Sequence, residues 1–136
     1  MKPDHRVLDR AEFNATRFIK GLHEKAADQL GTSGGGNHFV EFGIMEFAKG
    51  DPALNMPPGK YLALLTHSGS RGFGATIAGY YTKLAKEKCI LPKEAVNLAY
   101  LDMASAEGQE YWLAMNLAGD YASACHEVIH ERLTKA

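Results

Sequence analysis

The chain has 136 residues, of which 46% are hydrophobic and 23% charged, a composition that supports one domain with a real core and excludes compositional disorder. Fifteen basic residues against 16 acidic ones leave a formal net charge of −1, so no bulk field marks a nucleic-acid or membrane binder and any polyanion contact has to be local. The opening MKPDHRVLDR holds no apolar run, and nowhere do roughly 18 apolar residues follow one another. The expectation is a soluble, cytoplasmic protein with neither secretory leader nor membrane span.

In chain order, residues 7–30 read as helix, with Phe18, Ile19, Leu22, Ala26 and Leu30 recurring at three and four and Gly31 as the stop. From His38 to Phe47 the period becomes two. His38, Val40, Phe42 and Ile44 fall on one face of a strand, and Phe39, Glu41 and Met45 on the other. DPALNMPPGK, residues 51–60, is a loop. YLALLT, residues 61–66, suits a strand buried on both faces. HSGSRGFG follows and leads into a helix of about four turns over 75–88. Residues 90–97 connect, with Pro92 placed to open a short helix, and 99–103 read as a brief strand. A long helix from Ser105 to about Thr134 closes the chain, with Tyr111, Met115, Ala118, Ala122, Cys125, Ile129 and Leu133 as its apolar stripe. The expected class is α/β (α+β) in a single domain over 1–136, with central strands flanked by an N-terminal and a C-terminal helix.

The chemistry concentrates in two glycine-rich loops, each beside a histidine. GTSGGGNH leads into a strand, and HSGSRGFG leaves one and opens a helix. Glycine permits positive φ and lets backbone N–H groups approach a ligand without an intervening Cβ. Behind the second loop the helix dipole favours an anion. Ser68 and Ser70 bring hydroxyls, and Arg71 brings a planar fork suited to phosphate. Neither the GxxxxGK[ST] nor the GxGxxG nucleotide spacing is met, so each loop taken alone reads first as a tight turn. His38 and His67 stand at equivalent loop–strand junctions, and neutral imidazole is the commonest side-chain ligand of transition metals. They can share an ion only if their strands are neighbours; otherwise each is a hydrogen-bonded core histidine.

LGTSGGGNHFVEF and HSGSRGFG together, with the later AEGQEYWLAMNLAGDYA, resemble the signatures of the RtcB-type RNA-splicing ligases. The likeness is close from about Leu30 to Gly74 and looser to about Ile129. It implies an RtcB-like fold and an enzyme that joins RNA 3′-phosphate or 2′,3′-cyclic phosphate ends to 5′-hydroxyl ends with GTP and Mn²⁺. By position it implies His38 and His67 as manganese ligands, Asn37 against the guanylate, and Phe39 and Glu41 at the guanine. Ser68, Ser70 and Arg71 would then line the bay for the RNA terminal phosphate. The family's bridging Asp and Cys ligands belong to a DxGCG-type segment upstream of the first signature, and its guanylylated histidine lies further toward the C-terminus. Neither has a counterpart in these residues, so the resemblance assigns no catalytic residue here. The chain is expected to be the central part of the fold, unable to seal RNA alone and self-associating to cover apolar surface. A non-catalytic metal- or phosphate-binding module is the alternative, and repair of RNA other than tRNA is a variant within the family.

Other features read as structural. His126-Glu127-Val128-Ile129-His130 matches HExxH, which places both imidazoles on one helix face, but a zincin needs a third ligand and only ERLTKA follows. A partly solvated amphipathic helix is the default, with a weak adventitious metal site at the pair as a separate reading and metalloprotease the lesser alternative. Cys89 and Cys125 lack any CxxC context and read as reduced structural thiols. The tyrosines at 80, 81, 111 and 121 and Trp112 could stack bases but read as core at helical spacing.

Overall fold

A computed structural model describes residues 3–136; Met1 and Lys2, the first two residues of the opening MKPDHRVLDR, lie outside the described residues. The chain forms two compact units, one from the residues up to Thr32 together with Gly69–Ala136, the other from Ser33–Ser68.

The first unit is helical and holds the whole buried core. Residues 7–30 are not one helix. Two 3₁₀ turns, Arg6–Asp9 and Ala11–Asn14, precede α1 (Arg17–Lys20) and α2 (His23–Gln29). The breaks have local causes. Arg10 and Thr16 are extended, the Thr16 hydroxyl accepts the Ile19 N–H at 3.1 Å, and Gly21 interrupts the next turn. Short pieces still deliver Val7, Phe13, Ile19, Leu22, Ala26 and Leu30 to the core, which is what the apolar periodicity encodes.

Helix α3 (Arg71–Lys88) starts four residues earlier than its apolar pattern predicts. It buries Phe73, Ile77, Tyr81 and Ala85. Pro92 precedes a 3₁₀ stretch, Lys93–Leu98. The strand expected at 99–103 does not form among the described residues. Cys89 Sγ takes both backbone groups of Tyr100 instead, accepting its N–H at 3.3 Å and donating to its carbonyl at 3.0 Å, as a strand neighbour would. Ser105 then caps α4 (Ala106–Thr134), its hydroxyl accepting the Gly108 N–H.

The buried residues of α4 include Ala114, Leu117, Tyr121, Ala124, Cys125, Val128 and Ile129. Cys125 and Ile129 of the predicted stripe are among them, Tyr111 and Ala118 are partly buried against the same core, and the rest of the face is shifted by about one residue. Met115 and Leu133 face solvent. The helix carries apolar residues at both sets of positions, and its neighbours choose between them. The Tyr121 ring lies 5.0 Å from that of Phe73 in α3, and its hydroxyl donates to the Ala26 carbonyl of α2 at 2.7 Å. Burial pushes the Cys125 thiol up from its ordinary value, which keeps it inert.

Tyr81 is the exception in this core. Its hydroxyl is buried with no hydrogen-bond partner, and burial raises the phenol to about 12. An unsatisfied polar group costs about 1–3 kcal/mol. Tyr81→Phe should therefore leave stability unchanged or raise it by about 1 kcal/mol, read from urea unfolding midpoints. A loss of that size would mean the hydroxyl has a partner in solution.

The second unit is an antiparallel hairpin of β1 (Phe39–Phe47) and β2 (Gly59–His67), in register from Phe39 opposite His67 to Phe47 opposite Gly59. Its long turn is organised by Asp51, whose carboxylate accepts the N–H groups of Ala53 and Leu54 and whose backbone bridges to Met56. The expectation that YLALLT is buried on both faces fails. Leu62 is 79% exposed and Ile44, directly opposite, 78%. Two strands alone supply no second layer to cover either face.

Candidate functional site

In the hairpin unit, Gly34 (φ +104°) and Gly36 (φ +75°) both adopt backbone conformations that L side chains rarely reach. A Cβ at Gly36 would meet no atom within 4 Å, so glycine is required there by conformation and not by crowding. The turn delivers the Gly35 carbonyl to His38, whose Nδ1 lies 2.8 Å from that oxygen. A carbonyl only accepts, so Nδ1 carries the hydrogen and the neutral ring keeps its lone pair on Nε2. Metal-binding histidines are commonly oriented by this kind of bond.

The two strands are neighbours, and their register brings the two imidazoles together. His67 stands opposite Phe39, and its ring stacks on that of Phe39 with centroids 5.6 Å apart and planes 22° apart. The His38 and His67 rings are 5.8 Å apart at 38°. Strand alternation alone would send His38 to the Val40 face, away from His67. His38 precedes the first paired residue of β1, however, and the bond to Gly35 holds its ring instead. With a metal–nitrogen bond of about 2.1 Å an ion lies roughly 3.2 Å from each ring centre. Two rings on one ion then sit roughly 5–6 Å apart at tetrahedral or wider angles. The donor set and spacing fit one divalent cation. Among the described residues no group of three His, Cys, Asp or Glu side chains converges as a metal cage.

Asn37 is exposed on the same turn. Glu41, opposite Leu65, is exposed two residues along from Phe39, so Phe39, Glu41 and His67 share one face of the hairpin. Ser68 donates its hydroxyl hydrogen to the Ser33 carbonyl at 3.0 Å, closing the base of this unit.

In the helical unit, Ser70 directly precedes α3 and Arg71 is its first residue. Arg71 has φ +55°, a left-handed conformation unusual for a side chain of its kind and a frequent mark of functional positions. Its Nε donates to Thr32 Oγ1 at 3.1 Å. Thr32 lies within the first glycine-rich signature but has no role assigned by it, and Gln29, three residues earlier, falls outside the signature.

The HExxH residues are engaged otherwise. On α4 the His126 and His130 rings are 6.4 Å apart. Glu127 accepts from His5 Nε2 at 3.1 Å and from Ser123 at 3.3 Å, and the His5 bond holds its carboxyl below the usual range. A glutamate tied to two partners is poorly placed to activate water.

The family model described as tRNA-splicing ligase RtcB matches residues 7–136. Curated relatives include the tRNA-splicing ligases RtcB of Nanoarchaeum equitans, 32% identical over 92% of this chain and 26% of the relative, and of Thermococcus kodakarensis, 33% identical over 78% and 23%. The RNA-splicing ligase RtcB homolog 1 of Entamoeba dispar is 27% identical over 86% and 22%. The chain belongs to the RtcB family of RNA ligases. It spans about a quarter of the length of these relatives. No helix among the described residues is long and apolar enough to cross a membrane.

Proposed function

We propose that this chain carries part of the metal, guanylate and RNA-end site of an RtcB-type ligase, which joins 3′-phosphate or 2′,3′-cyclic phosphate ends to 5′-hydroxyl ends with GTP and Mn²⁺. The observation that supports this most is the His38–His67 pair, 5.8 Å apart with the His38 tautomer set by Gly35. His38 and His67 would hold Mn²⁺, which when bound supplies positive charge for phosphate oxygens. Asn37 would donate to the guanylate phosphate. Phe39 offers an aromatic face and Glu41 a carboxylate acceptor for the guanine N1–H and exocyclic amine. Ser70 and Arg71 would take the terminal phosphate, Arg71 as the fork. Ser68 commits its hydrogen to the Ser33 carbonyl and would donate to a phosphate only by giving up that bond. The exposed faces of the hairpin favour the self-association expected from the sequence.

The test is calorimetric titration of the chain, in Mn²⁺, with two short RNAs that differ only in a 3′-phosphate or a 3′-hydroxyl. The expected outcome is roughly tenfold tighter binding of the phosphorylated end, as loss of one charge-assisted pair implies. Equal affinities would overturn the reading. Sealing by the 136 residues alone is not expected, since the resemblance gives the bridging Asp and Cys ligands and the guanylylated histidine no counterpart in this sequence, and a joined product from the purified chain would refute that part.

A further inference from the structure

We propose that Gln29 and Thr32, at the end of α2, are positioning residues that set the Arg71 fork for an oxyanion. The inference rests on the reading of Arg71 as the phosphate-binding group. Three hydrogen bonds carry it. Gln29 Oε1 accepts the Gly72 N–H at 2.9 Å, directly after the left-handed Arg71. Thr32 Oγ1 accepts from Arg71 Nε at 3.1 Å. The same hydroxyl donates to the Gln29 carbonyl at 2.6 Å.

The third bond makes the second directional. With its hydrogen committed to the Gln29 carbonyl, the Thr32 oxygen presents lone pairs to Arg71 and is held as an acceptor. One edge of the guanidinium is thereby anchored, and the plane of the fork is set while its four Nη hydrogens serve a ligand. Gln29 acts on the backbone. A left-handed arginine at the head of a helix persists only where its surroundings hold it, and the side-chain amide grips the next peptide. Gly72 permits the grip, since a Cβ there would stand 2.9 Å from Gln29 Oε1.

The experiment compares Thr32→Val, Thr32→Ser, Gln29→Ala and Arg71→Ala in the full chain. For each, the readout is the affinity ratio between 3′-phosphorylated and 3′-hydroxyl RNA, alongside Mn²⁺ affinity. Thr32→Val and Gln29→Ala should reduce the ratio about five- to tenfold and leave Mn²⁺ binding unchanged, with Thr32→Ser restoring it. A merely structural role would move both RNAs and the metal together. A Thr32→Ser variant as defective as Thr32→Val, or a Thr32→Val variant with the unchanged ratio, overturns the positioning role. Arg71→Ala separates the two levels: if it leaves the ratio intact, the phosphate reading of Arg71 itself fails. If it alone abolishes the ratio, that reading stands and the roles of Gln29 and Thr32 fall.

Discussion

His38→Ala and His67→Ala are each expected to weaken Mn²⁺ binding by roughly 100-fold or more, while His126→Ala leaves it unchanged. Even the groups that orient metal ligands cost about 10–100-fold when removed, and on the proposed reading each substitution removes a ligand itself. The His38–His67 rings are 5.8 Å apart and on paired strands. The His126–His130 rings are 6.4 Å apart on one helix, beside a glutamate held by His5 and Ser123. Titration calorimetry, or the loss of the free-manganese electron paramagnetic resonance signal on binding, reads the difference. Binding that survives both hairpin substitutions and disappears with His126→Ala would move the metal to α4 and leave the hairpin pair without a role.

Phe73→Ala should cause the largest loss of stability of any single core truncation in α3, about 3–5 kcal/mol. Its side chain is fully buried, with the Phe13 ring 5.4 Å away on one side and the Tyr121 ring 5.0 Å away on the other. Three separate stretches of the helical unit meet at this residue, so no single side chain can shift to refill the space. Leu62→Ala is the contrast. A leucine already 79% exposed has little transfer free energy left to lose, and the cost should stay within about 0.5 kcal/mol. Equilibrium urea unfolding of the two variants checks both values. A Leu62→Ala cost approaching that of Phe73→Ala, especially one that grows with protein concentration, would show that another chain covers the hairpin in solution.

Much of the candidate site was legible before any coordinates. Glycine at 34 and 36 is a local requirement, because the left-handed backbone that turns the Gly35 carbonyl toward His38 excludes most side chains. The alternation in Phe39–Phe47 places Phe39 and Glu41 together by the pleat alone. Of the apolar positions named in residues 7–30, Ile19, Leu22, Ala26 and Leu30 are buried and Phe18 only partly so. Val7 and Phe13 join the core unannounced, and the helix they implied is four short pieces. Burial is selected by composition over a few turns, whereas continuity depends on single caps such as Thr16.

What the sequence by itself determined, then, is local: where the backbone must bend, which faces alternate, which loops can approach an anion, and the family signatures those loops compose. Tertiary structure decided everything that needs two distant segments. The hairpin register, together with the bond from His38 to Gly35, brings His67 and His38 together across 28 intervening residues. The packing of Tyr121 against Phe73 and its bond to the Ala26 carbonyl accompany a buried face of α4 that keeps Cys125 and Ile129 of the predicted stripe and turns Met115 and Leu133 outward. Gln29 and Thr32 acquire meaning only beside Arg71. The physical reason is the same in each case. Turn and strand preferences are energies of neighbouring residues along the chain, while ligand convergence and choice of core face are energies of contacts that exist only after the chain has folded back on itself.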